Sequence, residues 1–209
     1  MPKHLNTGQA LSVTKHHRQM LNGHRSYALW LTGLSGAGKS TLANALEAEL
    51  YARGMRTFLL DGDNLRTGLT QDLGFSPADR RENVRRVAHA AKLLVDAGVV
   101  VLVALISPFH EERQRARALF APDEFVEIFV DCPLDVCEAR DVKGLYHQAR
   151  IGKIPEFTGI SSPYERPANP DIRVQSDRQS VESDVRQVLL DLSRRGLVPN
   201  SDRDAVTRI

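Results

Sequence analysis

The residues most suggestive of chemistry lie in LTGLSGAGKSTLANAL, residues 31–46, between an apolar run and a helical pattern. Residues 33–40, which we name the phosphate loop, fit G-x-x-x-x-G-K-[ST] between a strand and a helix, as this motif requires. Such a loop turns backbone N–H groups inward around phosphate oxygens, and the helix N-terminus adds a favourable dipole. The sequence therefore predicts nucleoside triphosphate binding, with a simple tight turn as the alternative.

The predicted triphosphate contacts are the residues of this motif and the residue that follows it, Thr41. They are Gly33, Leu34, Ser35, Gly36, Ala37, Gly38, Lys39, Ser40 and Thr41. Lys39 would reach the β and γ phosphates, and the Ser40 hydroxyl would hold Mg²⁺. A guanine-specific protein would also need an Asn-Lys-x-Asp segment, which the sequence lacks. The motif leaves ATP-driven machines and small-molecule kinases open.

A second candidate is DGDN, residues 61–64, which follows the next apolar run and which we name the acid turn. Ligands of a doubly wound sheet bind beyond the carboxyl ends of its strands, so this turn is predicted to lie beside the phosphate loop. Its two carboxylates could serve Mg²⁺ and an attacking hydroxyl separately. The third apolar run ends in Ile-Ser-Pro and supplies no acid. The alternative for DGDN is a plain turn.

Short apolar runs alternate with helical patterns along the chain. The predicted strands are 27–32, 56–60, 99–106, 125–130 and 172–174. Apolar residues at helix spacing predict helices that end before Gly54, Gly98 and Gly196, and Ser76-Pro77 begins the second of these. Strands that are apolar on both faces need helices on both sides. The predicted fold is α/β, a P-loop NTPase-type doubly wound parallel sheet with helices on both faces.

Three segments fall outside this alternation, and the domain itself is predicted to span 26–196. Residues 1–25 are polar and histidine-rich, which favours a solvated arm over a metal site. Residues 197–209 are predicted to form a C-terminal tail. Residues 143–170, which we name the lid segment, are rich in proline and glycine with little periodicity. Such a long irregular stretch is typical of a mobile lid.

Composition bounds the function further. The 209 residues are 42% hydrophobic and 26% charged, as in ordinary soluble proteins, and no apolar run is long enough to cross a membrane. The net charge of +2 does not favour nucleic acid as a partner. Cys132 and Cys137 match neither a zinc nor a redox spacing. With no signal peptide evident, we expect reduced packing cysteines in a cytoplasmic protein.

Six blocks around the phosphate loop resemble the adenylylsulfate kinase family. In order they are GLSGAGKS (33–40), DGDNLR (61–66), LGFSPADRRENVRR (73–86), ISP (106–108), KGLY (143–146) and FTGISSPYE (157–165). The resemblance covers about residues 10–195. It implies phosphorylation of the ribose 3′-hydroxyl of adenosine 5′-phosphosulfate (APS) by MgATP, giving ADP and PAPS. It also implies a homodimer, in the stand-alone kinase form.

The resemblance assigns roles to individual residues. Asp63 would accept the 3′-hydroxyl proton, and Asp61 would lie nearer the metal or the ribose, although this division stays open. Lys39 and Lys143 would stabilise the transferring group, and Arg140 would pack on the ATP adenine. The implied metal ligands are Ser40 and Asp61. The implied APS contacts are Asp61, Asp63, Asn64, Arg66, Phe75, Arg80, Asn83, Ile106, Ser107, Lys143 and Phe157.

Three of these assignments have plain alternatives, and for Arg140 the alternative is a solvated arginine on a helix. Arginines suit an anionic phosphosulfate and aromatic faces suit an adenine, so Phe75 and Phe157 are implied as an adenine sandwich. Each could instead be a packing residue. The family has been described with a phosphoserine intermediate at Ser107, which direct in-line transfer does not need. A hydrogen bond to the acceptor, or a helix N-cap ahead of Pro108, suits this serine equally.

Three residues depart from the family's usual pattern. Arg81 replaces an acid, Phe109 a tyrosine and Val142 a proline. None removes a charge that the reaction needs, so we expect APS affinity to be affected more than activity. Two alternatives stay open: another small P-loop kinase, acting on a sugar acid or a nucleoside, and a regulatory nucleotide-binding module without catalysis.

Overall fold

The computed structural model describes residues 11–198. Its strands are β1 (Ala28–Thr32), β2 (Thr57–Asp61), β3 (Val100–Ala104), β4 (Phe125–Asp131) and β5 (Ile172–Gln175). They form one sheet in the order β2-β3-β1-β4-β5, and every neighbouring pair is parallel. The predicted strands therefore exist where the apolar runs placed them, and the α/β class is confirmed.

Helices cover both faces of the sheet. Within the described residues they are α1 (Lys15–Asn22), α2 (Lys39–Ala52), α3 (Gly62–Leu65), α4 (Pro77–Asp96), α5 (His110–Arg117), α6 (Leu134–Arg140), α7 (Leu145–Arg150) and α8 (Val181–Arg194). Side chains of β1 alternate between two cores. Leu29 and Leu31 join the core that includes α2 and α8, whereas Ala28 and Trp30 join the core that includes α4. This alternation confirms the doubly wound arrangement.

Strand β2 differs from the doubly covered strand that its apolar run predicted. It lies at the edge of the sheet, and β3 separates it from β1. Phe58 is 51% exposed because an edge strand has neighbours on one side only. The acid turn at the end of β2 is therefore one strand away from the phosphate loop that follows β1.

The described part of the polar arm predicted for residues 1–25 has no buried residue in its helix, but it is folded and contacts the domain. Residues 15–22 form α1, which begins with a capping box at Thr14. Asn22 Nδ2 donates to Gly98 O at 2.8 Å, and Lys15 forms an ion pair with Glu124. These contacts tie α1 to the turn that follows α4 and to the residue before β4. Residues 1–10, which include His4, lie outside the described residues.

The two other irregular segments are also packed in part. Leu197 and Val198 are buried in the core, so the chain is still structured where the predicted tail begins. Residues 199–209 lie outside the described residues. In the lid segment, Tyr146 and Phe157 are buried, and Glu165 N donates to Pro108 O at 2.8 Å. The lid segment thus lies against the domain, and its mobility stays a prediction.

Three features of residues 11–198 bear on the expectations drawn from composition. No helix there combines the length and apolar character that crossing a membrane requires. The same residues hold no group of three or more His, Cys, Asp or Glu side chains that could bind a metal ion. Cys132 and Cys137 are free and buried, which confirms their prediction as packing residues.

Candidate active site

The phosphate loop joins β1 to α2 through backbone conformations that favour glycine. Gly36 has φ +75°, and a Cβ there would lie 2.9 Å from Cys137 O. Gly38 has φ +92° and precedes Lys39, the first residue of α2, without a side-chain cap. The first N–H groups of α2 therefore keep no side-chain partner from the capping position, as an anion site at a helix start requires.

Four successive carbonyl groups of the phosphate loop each accept a hydrogen bond from a side chain. The pairs are Leu34 O with Lys39 Nζ (2.8 Å), Ser35 O with Tyr146 Oη (2.9 Å), Gly36 O with an Arg140 guanidinium nitrogen (3.2 Å) and Ala37 O with Ser176 Oγ (2.7 Å). Satisfied carbonyls fix the orientation of their peptide planes. The loop is therefore held in shape by side chains of α2, α6, α7 and the segment after β5.

Lys39 lies at the centre of this loop and is 9% exposed. Burial is the main reason that its pKa is lowered from 10.5 to about 8, since the charged form loses hydration. Its ammonium group donates to Leu34 O, within the loop itself. A bound triphosphate would supply the negative charge that this buried cation lacks.

The acid turn contacts the start of α2. Ser40 Oγ donates to Asp61 Oδ2 at 2.6 Å, and Asp63 N donates to Asp61 Oδ1 at 3.0 Å. Gly62 lets the acid turn lie close to the residues that end and follow β3, since a Cβ there would lie 2.9 Å from Leu105 Cδ2. The hydroxyl of Ser40 and the carboxylate of Asp61 are hard oxygen ligands placed side by side. They fit the ligand preference of Mg²⁺.

Asp63 projects from the acid turn and forms an ion pair with Lys143 of the lid segment. Both side chains are more than half exposed. The pair joins the predicted base to the predicted second cation, which are 80 residues apart in sequence. The lid segment thus reaches the acid turn directly.

The two predicted acceptor arginines converge on Phe75. The guanidinium carbon of Arg66 lies 4.3 Å from the Phe75 ring centroid, and that of Arg80 lies 5.8 Å away. Ser76 caps α4 through Asp79 N, and this confirmed helix start sets the position of Arg80. Two cations beside one aromatic face suit an anionic ligand that also carries a base.

Arg80 also connects the two predicted adenine contacts through their backbones. It donates to Phe75 O at 2.8 Å and to Glu156 O, the residue before Phe157, at 2.9 Å. The two rings differ in environment: Phe75 is 54% exposed, whereas Phe157 is 7% exposed and meets the Tyr146 ring edge-on at 5.0 Å. The structure brings their backbones together, and the sandwich itself stays a prediction.

Asn83 lies one helical turn after Arg80 and is 8% exposed. Its Oδ1 atom is buried and has no hydrogen-bond partner within residues 11–198. An unpaired buried polar atom is costly, so it indicates a group that a ligand satisfies. Asn83 therefore fits the acceptor site that the sequence predicted.

Ser107 has a left-handed backbone conformation, with φ +40°. Its Oγ accepts a hydrogen bond from Trp30 Nε1 at 3.1 Å, and its carbonyl accepts one from Arg113 at 2.7 Å. The preceding Ile106 carbonyl accepts from Thr32 Oγ1 at 2.7 Å. The N-cap alternative for Ser107 is wrong, because α5 begins at His110.

Sequence reasoning missed several residues that support the site. Arg113 is 1% exposed and bonds Glu127 Oε1 (2.8 Å) and Glu165 O (2.7 Å), tying the lid segment to β4. Arg113 lies on α5, whose polar sequence resembles that of a solvent-exposed helix, so no local signal in the sequence indicates that this arginine is buried. Arg81 lies over the Phe109 ring at 5.2 Å, so two of the residues that depart from the family pattern are in contact; their effect on APS affinity stays a prediction.

A cavity of about 490 Å³ lies between the end of β4 and the lid segment, lined by residues that include Asp131, Ser162 and Arg166. Of the predicted site residues, only Leu34 lines it. The predicted catalytic residues therefore lie outside this cavity, where the acid turn meets the phosphate loop.

A parallel sheet, a phosphate loop that opens a helix and an acid turn bonded to that helix define a P-loop phosphotransferase. The family model for adenylylsulphate kinase matches residues 25–175. The chain belongs to the adenylylsulphate kinase family.

Individual relatives agree with this family. A probable adenylyl-sulfate kinase of Halalkalibacterium halodurans is 59% identical over 85% of this chain and 85% of its own. The adenylyl-sulfate kinase of Geotalea daltonii is 54% identical over 90% of this chain and 96% of its own. The structure of the Mycobacterium tuberculosis APS kinase in complex with AMPPNP and APS is 50% identical, with TM-score 0.78, over 81% of this chain and 99% of its own. A Janibacter sugar kinase, 19% identical with TM-score 0.56, shares the fold alone.

Proposed function

We propose that this chain transfers the γ-phosphoryl group of ATP to the 3′-hydroxyl of APS, giving ADP and PAPS. The observation that carries the proposal is the 2.6 Å contact between Ser40 and Asp61, which places the acid turn against the phosphate loop. Family membership identifies the acceptor, since the M. tuberculosis relative is described with AMPPNP and APS together.

The donor half of the reaction uses the phosphate loop. Its inward N–H groups and Lys39 would bind the triphosphate, and Arg140 would lie near the ATP adenine. Ser40 and Asp61 would hold Mg²⁺, which when bound neutralises phosphate charge. The Arg140 guanidinium already bonds Gly36 O and Ser176 O at 3.2 and 2.8 Å, so it is fixed beside the loop.

The acceptor half uses the acid turn and α4. Asp63 accepts the 3′-hydroxyl proton, the oxygen forms a bond to the γ phosphorus, and the bond to ADP breaks with its electron pair. Lys143, which forms an ion pair with Asp63, stabilises charge on the transferring group. Direct transfer needs no covalent relay through Ser107.

Recognition of APS rests on the residues grouped around Phe75. Arg66 and Arg80 would bind the phosphosulfate, and Asn83 Oδ1 would accept from the ligand. Phe75 and Phe157 would hold the adenine, with the lid segment closing over it to exclude water. The remaining acceptor contacts are Asn64, which lies in α3, and Ile106 and Ser107, which follow β3.

Assembly and location follow from the family resemblance. We infer a homodimer in the cytoplasm. Met20 and Leu21 of α1 are 70% and 81% exposed, which supplies apolar surface for such contact. A solved relative from Thiobacillus denitrificans is hexameric, so sedimentation of the purified chain should distinguish a dimer from larger assemblies.

One assay tests the reaction against its rivals. Purified protein with MgATP should release ADP when APS is added and form a product sensitive to a 3′-nucleotidase. Gluconate and adenosine serve as acceptor controls. Turnover of either control without turnover of APS would assign another kinase activity. Tight ATP binding with no turnover would assign a nucleotide-binding module.

A further inference from the structure

Tyr146 lies between the two predicted nucleotide sites. Its hydroxyl donates to Ser35 O of the phosphate loop at 2.9 Å. The other side of its ring meets Phe157, the predicted adenine contact, with centroids 5.0 Å apart and planes at 76°. An edge-on arrangement at this distance is attractive and sensitive to orientation. One side chain therefore contacts a donor-site carbonyl and an acceptor-site ring.

The position of Tyr146 is well determined by its surroundings. The side chain is 1% exposed, and its backbone N–H donates to Asp141 Oδ1 at 3.0 Å at the start of α7. Burial raises the pKa of the phenol, so the hydroxyl remains a donor at any pH at which the protein works. Losing that donor would leave Ser35 O unpaired or let its peptide plane rotate.

Ser35 matters because its carbonyl belongs to the set of four that shapes the phosphate loop. A rotation of the Ser35–Gly36 peptide would turn the Gly36 N–H away from the phosphates. The other three carbonyls accept hydrogen bonds from Lys39, Arg140 and Ser176. These side chains have no aromatic ring, so only Tyr146 of the four can form a ring pair with Phe157. Tyr146 is the member of this set that also contacts the acceptor site.

We propose that Tyr146 is a positioning residue that couples the two sites: the Phe157 ring fixes the tyrosine, and the tyrosine fixes the phosphate loop. The assignment of Phe157 to the acceptor rests on the proposed function. The contact itself predicts that changing Phe157 alters ATP-site affinity even when no acceptor is present. Binding energies of two sites joined in this way are reciprocal.

Calorimetric titration with AMPPNP and Mg²⁺, without APS, tests this coupling. Tyr146→Phe keeps the ring and removes the hydrogen bond, and we expect AMPPNP affinity to fall about fivefold. Phe157→Leu should lower it about threefold by loosening the tyrosine. The double variant should bind no more weakly than Tyr146→Phe alone, because Phe157 acts through the hydroxyl. At saturating substrates, kcat of Tyr146→Phe should stay within threefold of the wild type.

Two matched variants separate coupling from general damage. Phe75→Leu removes the other predicted adenine contact, which touches Arg66 and Arg80, and should leave AMPPNP affinity unchanged. Ser176→Ala removes a different loop hydrogen bond, and its effect should add to that of Phe157→Leu. Thermal unfolding confirms that each variant folds, and Phe157→Met replaces Phe157→Leu if that variant does not.

The inference is overturned if Phe157→Leu binds AMPPNP like the wild type, if Phe75→Leu weakens binding equally, or if the effects of Tyr146→Phe and Phe157→Leu add. Failure of the proposed function has a different signature. In that case the wild-type protein does not phosphorylate APS, whatever the outcome of the AMPPNP titrations.

Discussion

The donor and acceptor sides of the site differ in how completely their polar groups are paired. On the donor side, four consecutive carbonyls of the phosphate loop accept side-chain hydrogen bonds. On the acceptor side, Asn83 Oδ1 is buried without a partner in the described residues, and Phe75 is 54% exposed. The donor site is thus shaped before ligand binds, whereas the acceptor site keeps unmet interactions that its ligand completes.

This difference follows from the groups that bind ligand on each side: backbone N–H groups on the donor side and side chains on the acceptor side. A loop built from backbone must be held by neighbours, because its N–H groups bind phosphate only in one shape. Side chains on α4, in contrast, can remain without a hydrogen-bond partner until the ligand binds, at a modest cost in the stability of the free protein. Changes on the donor side should therefore alter loop shape and ATP affinity. Changes on the acceptor side should leave ATP affinity unaltered, except at Phe157, whose ring contacts Tyr146.

Asp63→Asn should separate the two sides most strongly. The amide cannot accept the 3′-hydroxyl proton, so we expect kcat to fall by about 10³. AMPPNP affinity should change less than twofold, because Asp63 lies outside the phosphate loop. Initial rates of ADP release and calorimetry measure the two quantities. Near-normal turnover would remove Asp63 as the base.

Gly62→Ala should disturb the junction between the two sides. The new Cβ would lie 2.9 Å from Leu105 Cδ2 and 3.3 Å from Ala104 O. The Leu105 side chain must move to admit it, and the contact with the Ala104 carbonyl favours a small shift of the acid turn. A small displacement of reacting groups is costly, and we expect kcat to fall about thirtyfold. Gly68→Ala is the control, since nothing lies within 4 Å of its added Cβ. Equal rates for both variants would show that the close approach of Gly62 is unimportant.

Asn83→Ala should affect the acceptor side only. It removes a buried atom that lacks a partner, so we expect KM for APS to rise about tenfold while the free energy of unfolding stays the same or increases. Steady-state kinetics and chemical denaturation measure these. A loss of stability with unchanged KM would mean that Asn83 is a structural residue.

Local motifs account for what the sequence predicted correctly. The phosphate loop is specified by Gly36, Gly38 and the helix that follows, all within a few residues. The start of α4 is specified by Ser76-Pro77 in the same way. Contacts between neighbours in the sequence leave a pattern, and so the fold class and the place of the phosphate loop between β1 and α2 were predictable.

Contacts between distant residues leave no such pattern. Tyr146 and Ser35 are 111 residues apart, and nothing in KGLY indicates that its tyrosine bonds the phosphate loop. The edge position of β2 depends on strand order, which apolar runs do not encode. The docking of α1 depends on Asn22 meeting Gly98, and a polar helix of eight residues resembles a solvated arm. Long-range packing decided each of these.

The smallest expected effect is a pH dependence confined to the donor side. Burial lowers the pKa of Lys39 to about 8 in the free protein. Between pH 7 and 8.5 the ammonium form becomes the minority, so affinity for MgAMPPNP should fall about fourfold. Lys39→Met should bind MgAMPPNP more weakly but without the part of the pH dependence that comes from Lys39. The pH dependence that remains in this variant reports the titration of the nucleotide itself.

The same group should change stability in the opposite direction. Its folded pKa of about 8 lies below the ordinary value of 10.5, so between these values the unfolded chain binds more protons than the folded one. The free energy of unfolding of the ligand-free protein should therefore rise with pH, by about 1 kcal/mol between pH 8 and 9 relative to Lys39→Met. Denaturation curves at the two pH values measure this. A difference that is absent or reversed would mean that Lys39 is hydrated in the free protein, and the donor side would then be less preorganised than its hydrogen bonds indicate.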